Sequence, residues 1–313
     1  MKNFFAIVVA IAFTAVSCTK EYTNPTPVVV DNTNNNTGGT GGTGGTGGTG
    51  GGTGGGTGIS AVPSTFSQKA LVEEFTGTWC GYCPDGALIL DDLILHNPGK
   101  VIGASVHEGD PMENTVFATL DGNLGGVTGF PSGLVNRQPF SGQLMMDRNY
   151  WEGAANMILT GAPACGLAIT SFVQSGNLNV TVHCGFNTTL SGDYRVTIYL
   201  TESAVTGYPQ ANYYDDGSLD PNSPLVGQGD PIIGWEHNNV VRTALTDNLG
   251  DVIPAAKMVP AGEYVITKSA SITGYNVNNL KIVAFINLVG TDPMSHKILN
   301  VQEAKPFQVK NWD

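Results

Sequence analysis

Two rhythms of apolar and polar residues divide the chain near residue 162. Before that point, short apolar runs typical of buried strands alternate with helical patterns. In the first helical pattern Ala87, Leu90 and Ile94 fall on one stripe, and "NPG" follows its end. The predicted order is a strand at 70–76, a helix from Pro84 to His96, a strand at 101–107, a helix near 114–120, a strand at 133–137 and a helix at 146–159. This order predicts an α/β domain over residues 62–161.

After residue 162 the pattern changes to alternation of apolar and polar residues, which is typical of half-buried strands. The alternating segments are "LNVTVHC", "YRVTIYL", "EYVITKSA", "LKIVAFINL" and "KILNVQEA". Repeated strands of this kind favour an all-β domain over residues 162–313, an immunoglobulin-like β-sandwich. A segment at about 203–231 lacks the period and is predicted to be a long insertion.

The first residues of the chain carry an export pattern. Lys2 precedes an apolar run from Phe4 to Val16, which is too short to count as a membrane-spanning helix. The run ends in "AVSC", which resembles the lipobox of bacterial lipoproteins. The resemblance implies a signal peptide over residues 1–17 and a palmitate-bearing Cys18 that anchors the protein in the outer membrane. The alternative is an ordinary signal peptide cut nearby, with Cys18 left as a free thiol.

Residues 18–61 are predicted to form a flexible tether. From residue 32 to 58 the sequence contains only Asn, Thr and Gly, so it has no apolar side chain to bury. A Gly-rich chain of about 40 residues has a typical end-to-end span of roughly 35 Å. A lipid at one end and a folded body at the other would hold that body away from a membrane surface.

The charge balance narrows the possible partners. The chain has 14 Lys and Arg residues against 26 Asp and Glu, a net charge of −12, and no cluster of basic residues. Binding to nucleic acid, or to anionic lipid through a polybasic patch, is therefore not expected.

The cysteine count suggests disulfides. Of the five cysteines, four remain when Cys18 is set aside, and an even number in an exported chain suggests two pairs. A hairpin turn predicted at 175–177 brings Cys165 nearly opposite Cys184 and on the same face. A structural disulfide between these two is therefore predicted. Two separate buried thiols are the alternative.

The other two cysteines lie in "EEFTGTWCGYCPDG", at the turn between a predicted strand and a predicted helix. The "WCGYCP" motif in this position, together with the β-α-β order, resembles the thioredoxin fold over about residues 62–160. A thiol at a helix N-terminus faces unpaired amides and the positive end of the helix dipole, so its pKa falls towards neutrality. In this interpretation Cys80 is the exposed nucleophile and Cys83 is the buried resolving thiol.

Two alternatives to a redox pair stay open. A structural zinc site needs four ligands, but the sequence has no second CxxC, and His107 on the neighbouring strand is a weak candidate for a further ligand. No metal is predicted. An inert disulfide that only staples the turn is the stronger alternative.

The thioredoxin-like resemblance implies three further site residues. Trp79 directly precedes the first cysteine. Pro131 in "TGFPSG" matches the proline that follows a cis peptide bond and faces the CxxC in that family. Glu74, six residues before the first cysteine, matches a buried acid that takes the proton of the second cysteine. Its alternative is a surface position, because strand alternation is expected to turn only one of Glu73 and Glu74 inward. No organic cofactor is implied.

Two polar clusters lie in or after the predicted insertion. Asp215, Asp216 and Asp220 have the side-chain type that calcium prefers, but they lack the order of an EF-hand, so a solvated acidic loop is the preferred interpretation. Residues 235–242, "WEHNNVVR", suit either a recognition surface or a hydrogen-bonded strand corner, and the corner is preferred.

A resemblance also extends over the whole chain. In this order, the lipobox, "LVEEFTGTWCGYCP", "VHEGDP", "GFPSGLVNR", "YLTE" and "EHNNVVR" resemble the Bacteroidetes outer-membrane lipoproteins named after a twenty-eight-kilodalton outer membrane protein, over about residues 70–305. The resemblance implies a thioredoxin-like domain, a β-rich domain and a cell-envelope location. The predicted function is a membrane-tethered thiol–disulfide oxidoreductase for exported proteins. The alternative is a non-catalytic surface lipoprotein for binding or adhesion.

Overall fold

The computed structural model describes residues 58–313. The predicted signal peptide, Cys18 and nearly all of the predicted tether lie outside these residues. The first half of the described chain contains β1 (Ala70–Thr76), α1 (Cys83–His96), β2 (Val101–His107), α2 (Thr115–Asn123), β3 (Ser132–Val135), β4 (Met146–Asp147) and α3 (Trp151–Leu159). The second half contains β5 (Cys165–Gln174), β6 (Asn177–Phe186), β7 (Tyr194–Glu202), β8 (Val240–Ala244), β9 (Asp251–Val252), β10 (Glu263–Ser271), β11 (Leu280–Leu288), β12 (Ile298–Ala304) and β13 (Val309–Lys310). The fold is mixed α/β with strands in the majority.

One large sheet runs through both halves. Its order is β12-β11-β7-β8-β2-β1-β3-β4, with β9 beside β7. Strands β1 and β2 are parallel over their whole length, and β3 is antiparallel to β1. Strand β8 joins the free side of β2 through a parallel pairing of Val240 with Ser105. Strands from both sides of the boundary predicted at residue 162 therefore share this sheet.

A second sheet, of order β10-β6-β5-β13, packs on the β7, β11 and β12 part of the large sheet. Alternate residues of the two sheets point inward and form one apolar core, as period-two strands require. From β6 and β7 this core takes Leu178, Val180, Val182, Cys184, Val196, Ile198 and Leu200. The strands predicted from alternation are confirmed here.

The helices cover the other part of the large sheet on both faces. Helices α1 and α3 pack on the face of β1 that carries Ala70 and Val72, and α2 packs on the opposite face with Leu71 and Phe75. All seven residues of β1 are buried as a result. The expectation that only one of two neighbouring glutamates on this strand faces inward is therefore wrong, since neither face of the strand meets solvent. Within residues 58–313, no helix has the length and apolar character needed to cross a bilayer.

The last predicted helix starts later than expected. Met146 pairs with Gly133 as the edge strand β4, and a 3-10 turn follows at Arg148–Tyr150 before α3 begins at Trp151. The Asp147 carboxylate accepts the Asn149 amide at 2.9 Å, which stabilises the turn in place of a helix.

The disulfide predicted between Cys165 and Cys184 is not formed, and both residues are buried free thiols. The β5–β6 hairpin turns where expected, but its register places Cys165 opposite Phe186 and Cys184 opposite Leu167. The two thiols are therefore diagonal neighbours on one face. Diagonal neighbours stand about 7 Å apart, beyond the Cβ separation that a disulfide needs. Burial raises the pKa of the Cys165 thiol, so it stays protonated and inert.

A fully buried ion pair joins the two halves of the large sheet. The Arg137 guanidinium, just after β3, donates to both carboxylate oxygens of Glu73 on β1 at 2.7 and 2.8 Å. It also donates to the Tyr199 hydroxyl of β7 at 3.2 Å. Both charged side chains are inaccessible to solvent. Bidentate geometry and the third partner compensate for much of the desolvation of the two charges.

Removing one partner of this pair should destabilise the protein strongly. Arg137→Met leaves the Glu73 carboxylate buried and unpaired, which should lower the free energy of unfolding by about 3–5 kcal/mol. The matched control is Arg195→Met, whose partner Asp193 is 40% exposed and whose loss should cost less than about 1 kcal/mol. Urea unfolding of both variants measures the difference. Similar losses in the two would contradict a special role for the buried pair.

Candidate functional site

Cys80 and Cys83 form a disulfide at the junction of β1 and α1, with their Cα atoms 5.3 Å apart. The Cys80 amide donates to the Gly77 carbonyl at 3.0 Å, which closes the turn after the strand. Cys83 is the first residue of α1, Pro84 follows it, and the N-cap residue Tyr82 makes no side-chain capping bond. The disulfide therefore begins a helix whose first-turn amides have no cap from that residue.

The surroundings of the disulfide differ from the prediction. Cys80 is only 4% exposed and Cys83 is 1% exposed, so the expectation of an accessible Cys80 is wrong for this structure. The cause is the chain between β7 and β8. Residues 203–239, which we call the covering segment, cross over the turn that carries the disulfide.

The covering segment is hydrogen-bonded to that turn. The side-chain amide of Gln210 donates to the Cys80 carbonyl at 2.9 Å and to the Gly77 carbonyl at 3.2 Å. The Tyr213 amide donates to the Gly81 carbonyl at 2.9 Å. Sequence analysis recognised the insertion but gave no signal that it returns to the first half of the chain.

Glu74 lies on the α1 face of β1 and is 1% exposed, in the inward position that was one of its two predicted alternatives. Its Oε2 accepts the Ser105 hydroxyl at 2.8 Å, whereas Oε1 has no hydrogen-bond partner. Burial raises the pKa of Glu74 to about 8, the negative charge of Asp91 adds to the effect, and the Ser105 hydrogen bond opposes it. A carboxyl group with such a pKa can gain and lose a proton near neutral pH.

Pro131 packs against the first turn of α1. The Phe130–Pro131 peptide bond is cis, as predicted. A Cβ on Gly86 would lie 2.8 Å from the Pro131 ring and 3.0 Å from Glu74 Oε1, so the proline and the acid both meet the helix at this glycine. The structure thus brings Glu74 and Pro131 together next to the helical turn that begins with Cys83.

Trp79 is the most exposed of the predicted site residues. Its indole Nε1 donates to the Glu108 carbonyl at 2.8 Å, and its ring meets Phe130 edge to face at 5.1 Å. Trp79 therefore flanks both the disulfide and the residue before Pro131. A groove of about 460 Å³ lies beside this group and is lined by Tyr82, Thr128, Gly129, Phe130, Pro131, Ser132, Gln143, Met145, Met146, Asp147 and Arg148.

His107 is committed to a different interaction from the zinc ligation considered above. Its Nδ1 donates to Asp110 Oδ2 at 2.7 Å, and its ring meets that of His237 at 5.5 Å. Asp110 Oδ2 also accepts the Thr78 amide at 2.9 Å, so "VHEGDP" supports the turn before the cysteines, a role that sequence analysis missed. Burial alone would raise the pKa of Asp110, but the hydrogen bond and charge of His107 outweigh burial and lower it. Within residues 58–313, no group of three or more His, Cys, Asp or Glu side chains is arranged to hold a metal ion.

The polar residues after the insertion form a strand corner. Asn238 and Asn239 donate to the two carboxylate oxygens of Asp91 on α1, at 2.9 and 3.2 Å. Their backbone leads directly into β8, where the Ser105 amide of β2 donates to the Asn239 carbonyl at 2.8 Å. The preferred interpretation of this motif is confirmed.

The acidic residues of the insertion hold backbone amides of their own loop. Each carboxylate accepts a hydrogen bond from a backbone amide: Asp215 from Gly229, Asp216 from Ser218, and Asp220 from Asn222. Asp216 and Asp220 are exposed to solvent, as expected of a solvated acidic loop.

The fold and the site define a mixed α/β protein in which a CxxC disulfide opens the first helix and a second, four-stranded sheet extends the core. The chain belongs to the outer membrane protein Omp28 family, whose model matches residues 122–310. It is thus a protein of the outer membrane or cell envelope. The matched range includes Pro131 and the covering segment but begins after the disulfide.

The fold is similar to that of one solved structure, and a second structure matches more weakly. HBP35 of Porphyromonas gingivalis superposes with a TM-score of 0.62 at 20% identity, over 79% of this chain and 78% of that one. An Agrobacterium tumefaciens protein matches with a TM-score of 0.45 at 12% identity, over 76% of this chain and 94% of that one. Among curated proteins, the sequence has no match.

The close contact at Gly86 should be intolerant of a methyl group. Gly86→Ala places a Cβ within 3.0 Å of Pro131 and Glu74 and should lower the free energy of unfolding by about 1–3 kcal/mol. The control is Gly122→Ala in α2, where a Cβ meets open space and alanine should stabilise the helix by up to about 1 kcal/mol. Urea unfolding measures both changes, and a shift of the same sign in both variants would contradict the packing described here.

The raised pKa of Glu74 should make its contribution to stability depend on pH. Below about pH 4.5 the carboxyl is protonated in both the folded and unfolded chain, and above about 8 it is ionised in both. Ionisation therefore destabilises the fold progressively as pH rises between these values. Relative to wild type, Glu74→Gln should gain stability between pH 5 and 8.5, by on the order of 4 kcal/mol.

Unfolding curves at several pH values test this expectation for Glu74. The control is Glu152→Gln, which replaces an exposed glutamate of α3. A pH-independent difference between wild type and Glu74→Gln would show that the carboxyl ionises as easily in the folded protein as in the unfolded chain.

Proposed function

We propose that this protein is a thiol–disulfide oxidoreductase of the cell envelope that exchanges disulfides with exported proteins through Cys80 and Cys83. The observation that carries the proposal is the position of the disulfide. It opens α1, and Glu74 with a raised pKa lies beneath the same helical turn. A helix N-terminus favours a thiolate, and a buried acid can hold the proton that a second thiol must release.

We also propose that the first half of the described chain has a thioredoxin-like fold. Strands β2-β1-β3-β4 lie in that order, with β2 parallel and β3 antiparallel to β1, and with α1 and α3 on one face and α2 on the other. This arrangement supports our proposal of a thioredoxin-like unit over residues 62–161, and the packing of the two sheets supports an immunoglobulin-like sandwich over 162–313. The position of Pro131 against α1 supports the same assignment.

The exchange reaction uses both sulfurs. In the reduced protein, the Cys80 thiolate attacks a client disulfide, a mixed disulfide forms, and one client sulfur leaves as a thiolate that takes a proton. Cys83 then gives its proton to Glu74 and attacks the Cys80 sulfur of the mixed disulfide, which restores the 80–83 disulfide. The second client sulfur leaves as a thiolate and takes the proton that Glu74 received. The client gains two electrons and two protons, and the protein loses them. The reverse sequence oxidises a client dithiol.

Attachment to the membrane is part of the proposal. The lipobox-like "AVSC" supports lipidation of Cys18, and the Omp28 family supports the outer membrane as its location. The Gly- and Thr-rich residues after it would let the folded body reach client proteins at a distance from the lipid.

Catalysis of a model exchange reaction tests the proposal. Wild-type protein should accelerate the reduction of insulin disulfides by dithiothreitol at least tenfold more than Cys80→Ser does, because the serine hydroxyl cannot form a mixed disulfide. Cys165→Ala is the matched control, since that thiol is buried in the sandwich core, and it should keep wild-type activity. Equal rates of insulin reduction for wild type and Cys80→Ser would refute the proposed oxidoreductase activity.

A second candidate is a non-catalytic lipoprotein for binding or adhesion. The low exposure of Cys80 beneath the covering segment favours it, because a shielded disulfide can simply hold the turn together. Expression of Cys83→Ser in cells separates the two candidates. An exchange enzyme should accumulate mixed disulfides between Cys80 and exported clients, whereas a scaffold should accumulate none.

A further inference from the structure

The covering segment lies over the turn that carries the disulfide and so restricts access to it. Exchange requires a client sulfur to reach Cys80, which is 4% exposed. We propose that the covering segment is a hinged gate with Gln210 as its latch, and that Cys80 becomes reactive when the gate opens. The proposal concerns regulation of the same site and so rests on the function proposed above.

The latch consists of donors on the covering segment and backbone acceptors on the turn. Gln210 is 2% exposed, and its side-chain amide reaches the carbonyl of Cys80. The Ala211 amide donates to the Thr78 carbonyl at 2.8 Å, next to the bond between Tyr213 and Gly81. None of these bonds involves the sulfur atoms, so the latch can form in either redox state of the cysteines.

The Tyr213 ring covers the turn between the two cysteines. A Cβ built on Gly81 would lie 2.2 Å from this ring, so the ring sits directly on the backbone between the two cysteines. It also meets Tyr82 edge to face, with ring centroids 5.2 Å apart. The glycine inside the CxxC is therefore the contact surface on which the gate rests.

The two ends of the gate have the features of a hinge. Gly207 and Gly234 lie near its two ends with φ values of 93° and 80°, and a Cβ on either would meet nothing within 4 Å. Side-chain packing therefore does not restrain rotation at these two positions.

The part between the glycines is folded on itself and can move as a unit. Gln210 and Ile232 exchange backbone hydrogen bonds of 3.1 and 2.7 Å. The Asn212 side chain donates to the carbonyls of Leu225 and Gly229, at 2.9 and 3.1 Å. These internal bonds would survive when the bonds to the turn break.

A second contact holds the gate to α1. The Tyr214 hydroxyl accepts from Arg148 at 2.8 Å, and Arg148 pairs with Asp85 of α1. Tyr214 also packs with Leu88 of α1. The polar groups of this contact are partly exposed, so water can replace the hydrogen bond when the gate opens.

The rate at which a small dithiol reduces the 80–83 disulfide reports gate opening without any client. One dithiothreitol thiolate attacks the disulfide and forms a mixed disulfide, and its second thiol displaces the protein sulfur. The reagent ends as a cyclic disulfide, and two electrons and two protons pass to Cys80 and Cys83. Alkylation of the new thiols at timed intervals, followed by mass spectrometry of the peptide, gives the rate on the full-length protein.

Gln210→Ala removes the side-chain hydrogen bonds of the latch and should raise this reduction rate roughly three- to tenfold. The matched control is Gln228→Ala, which replaces an exposed glutamine of the same segment, and it should leave the rate unchanged. Equal rates for wild type and Gln210→Ala, or equal increases in both variants, would overturn the gate.

Hydrogen exchange on the unmodified protein guards against a misfolded variant. The amides of Ala211 and Tyr213 should exchange faster than the β1 amides, because gate opening is a local event. Exchange of all these amides only through global unfolding would also overturn the proposal. If Gln210→Ala is reduced faster but no variant reduces insulin, the gate is supported and the proposed enzymatic function is refuted. If the protein reduces insulin but wild type and Gln210→Ala are reduced at equal rates, the enzymatic function is supported and the gate is refuted.

Discussion

The burial of β1 on both faces is the constraint on which the rest of the structure depends. Two adjacent glutamates on this strand, Glu73 and Glu74, are both buried as a result, but they have different hydrogen-bond partners. Glu73 pairs with Arg137, whose guanidinium donates to both of its carboxylate oxygens. Glu74 has one hydroxyl partner and no cation, so burial raises its pKa to about 8. The first acid joins the two halves of the large sheet, and the second supplies a titratable group beneath the disulfide.

The continuity of the large sheet makes the disulfide site a property of both halves of the chain. Strand β8 lies beside β2, and the chain between β7 and β8 passes over the turn that carries the cysteines. This passage is the covering segment, and it brings Gln210 and Tyr213 to the turn. The backbone of Cys80 is consequently in contact with a residue 130 positions away in the sequence. The large sheet therefore positions both the disulfide and the segment that covers it.

Several features of the site follow from local sequence, and particular residues show where such reasoning stops. Pro131 and Glu74 were predicted from the resemblance to the thioredoxin fold, and both lie against the first turn of α1. The exposure of Cys80 and the 165–184 disulfide were both expected and are both absent from the described residues. The first depends on a distant insertion. The second depends on a two-residue shift in strand register, which places the two thiols on one face yet too far apart to bond.

The sequence by itself determined most of the strands and helices, the hairpin at 175–177 and the cysteine pair at a helix start, because each depends on side-chain periodicity or on residues a few positions apart. Tertiary structure alone decided that both glutamates are buried, that the two halves share a sheet, and that the insertion covers Cys80. These outcomes arise from contacts between residues that are distant in the chain, and no local pattern records which surfaces will meet. The physical reason is that burial and access are properties of the packed molecule, whereas periodicity is a property of the segment.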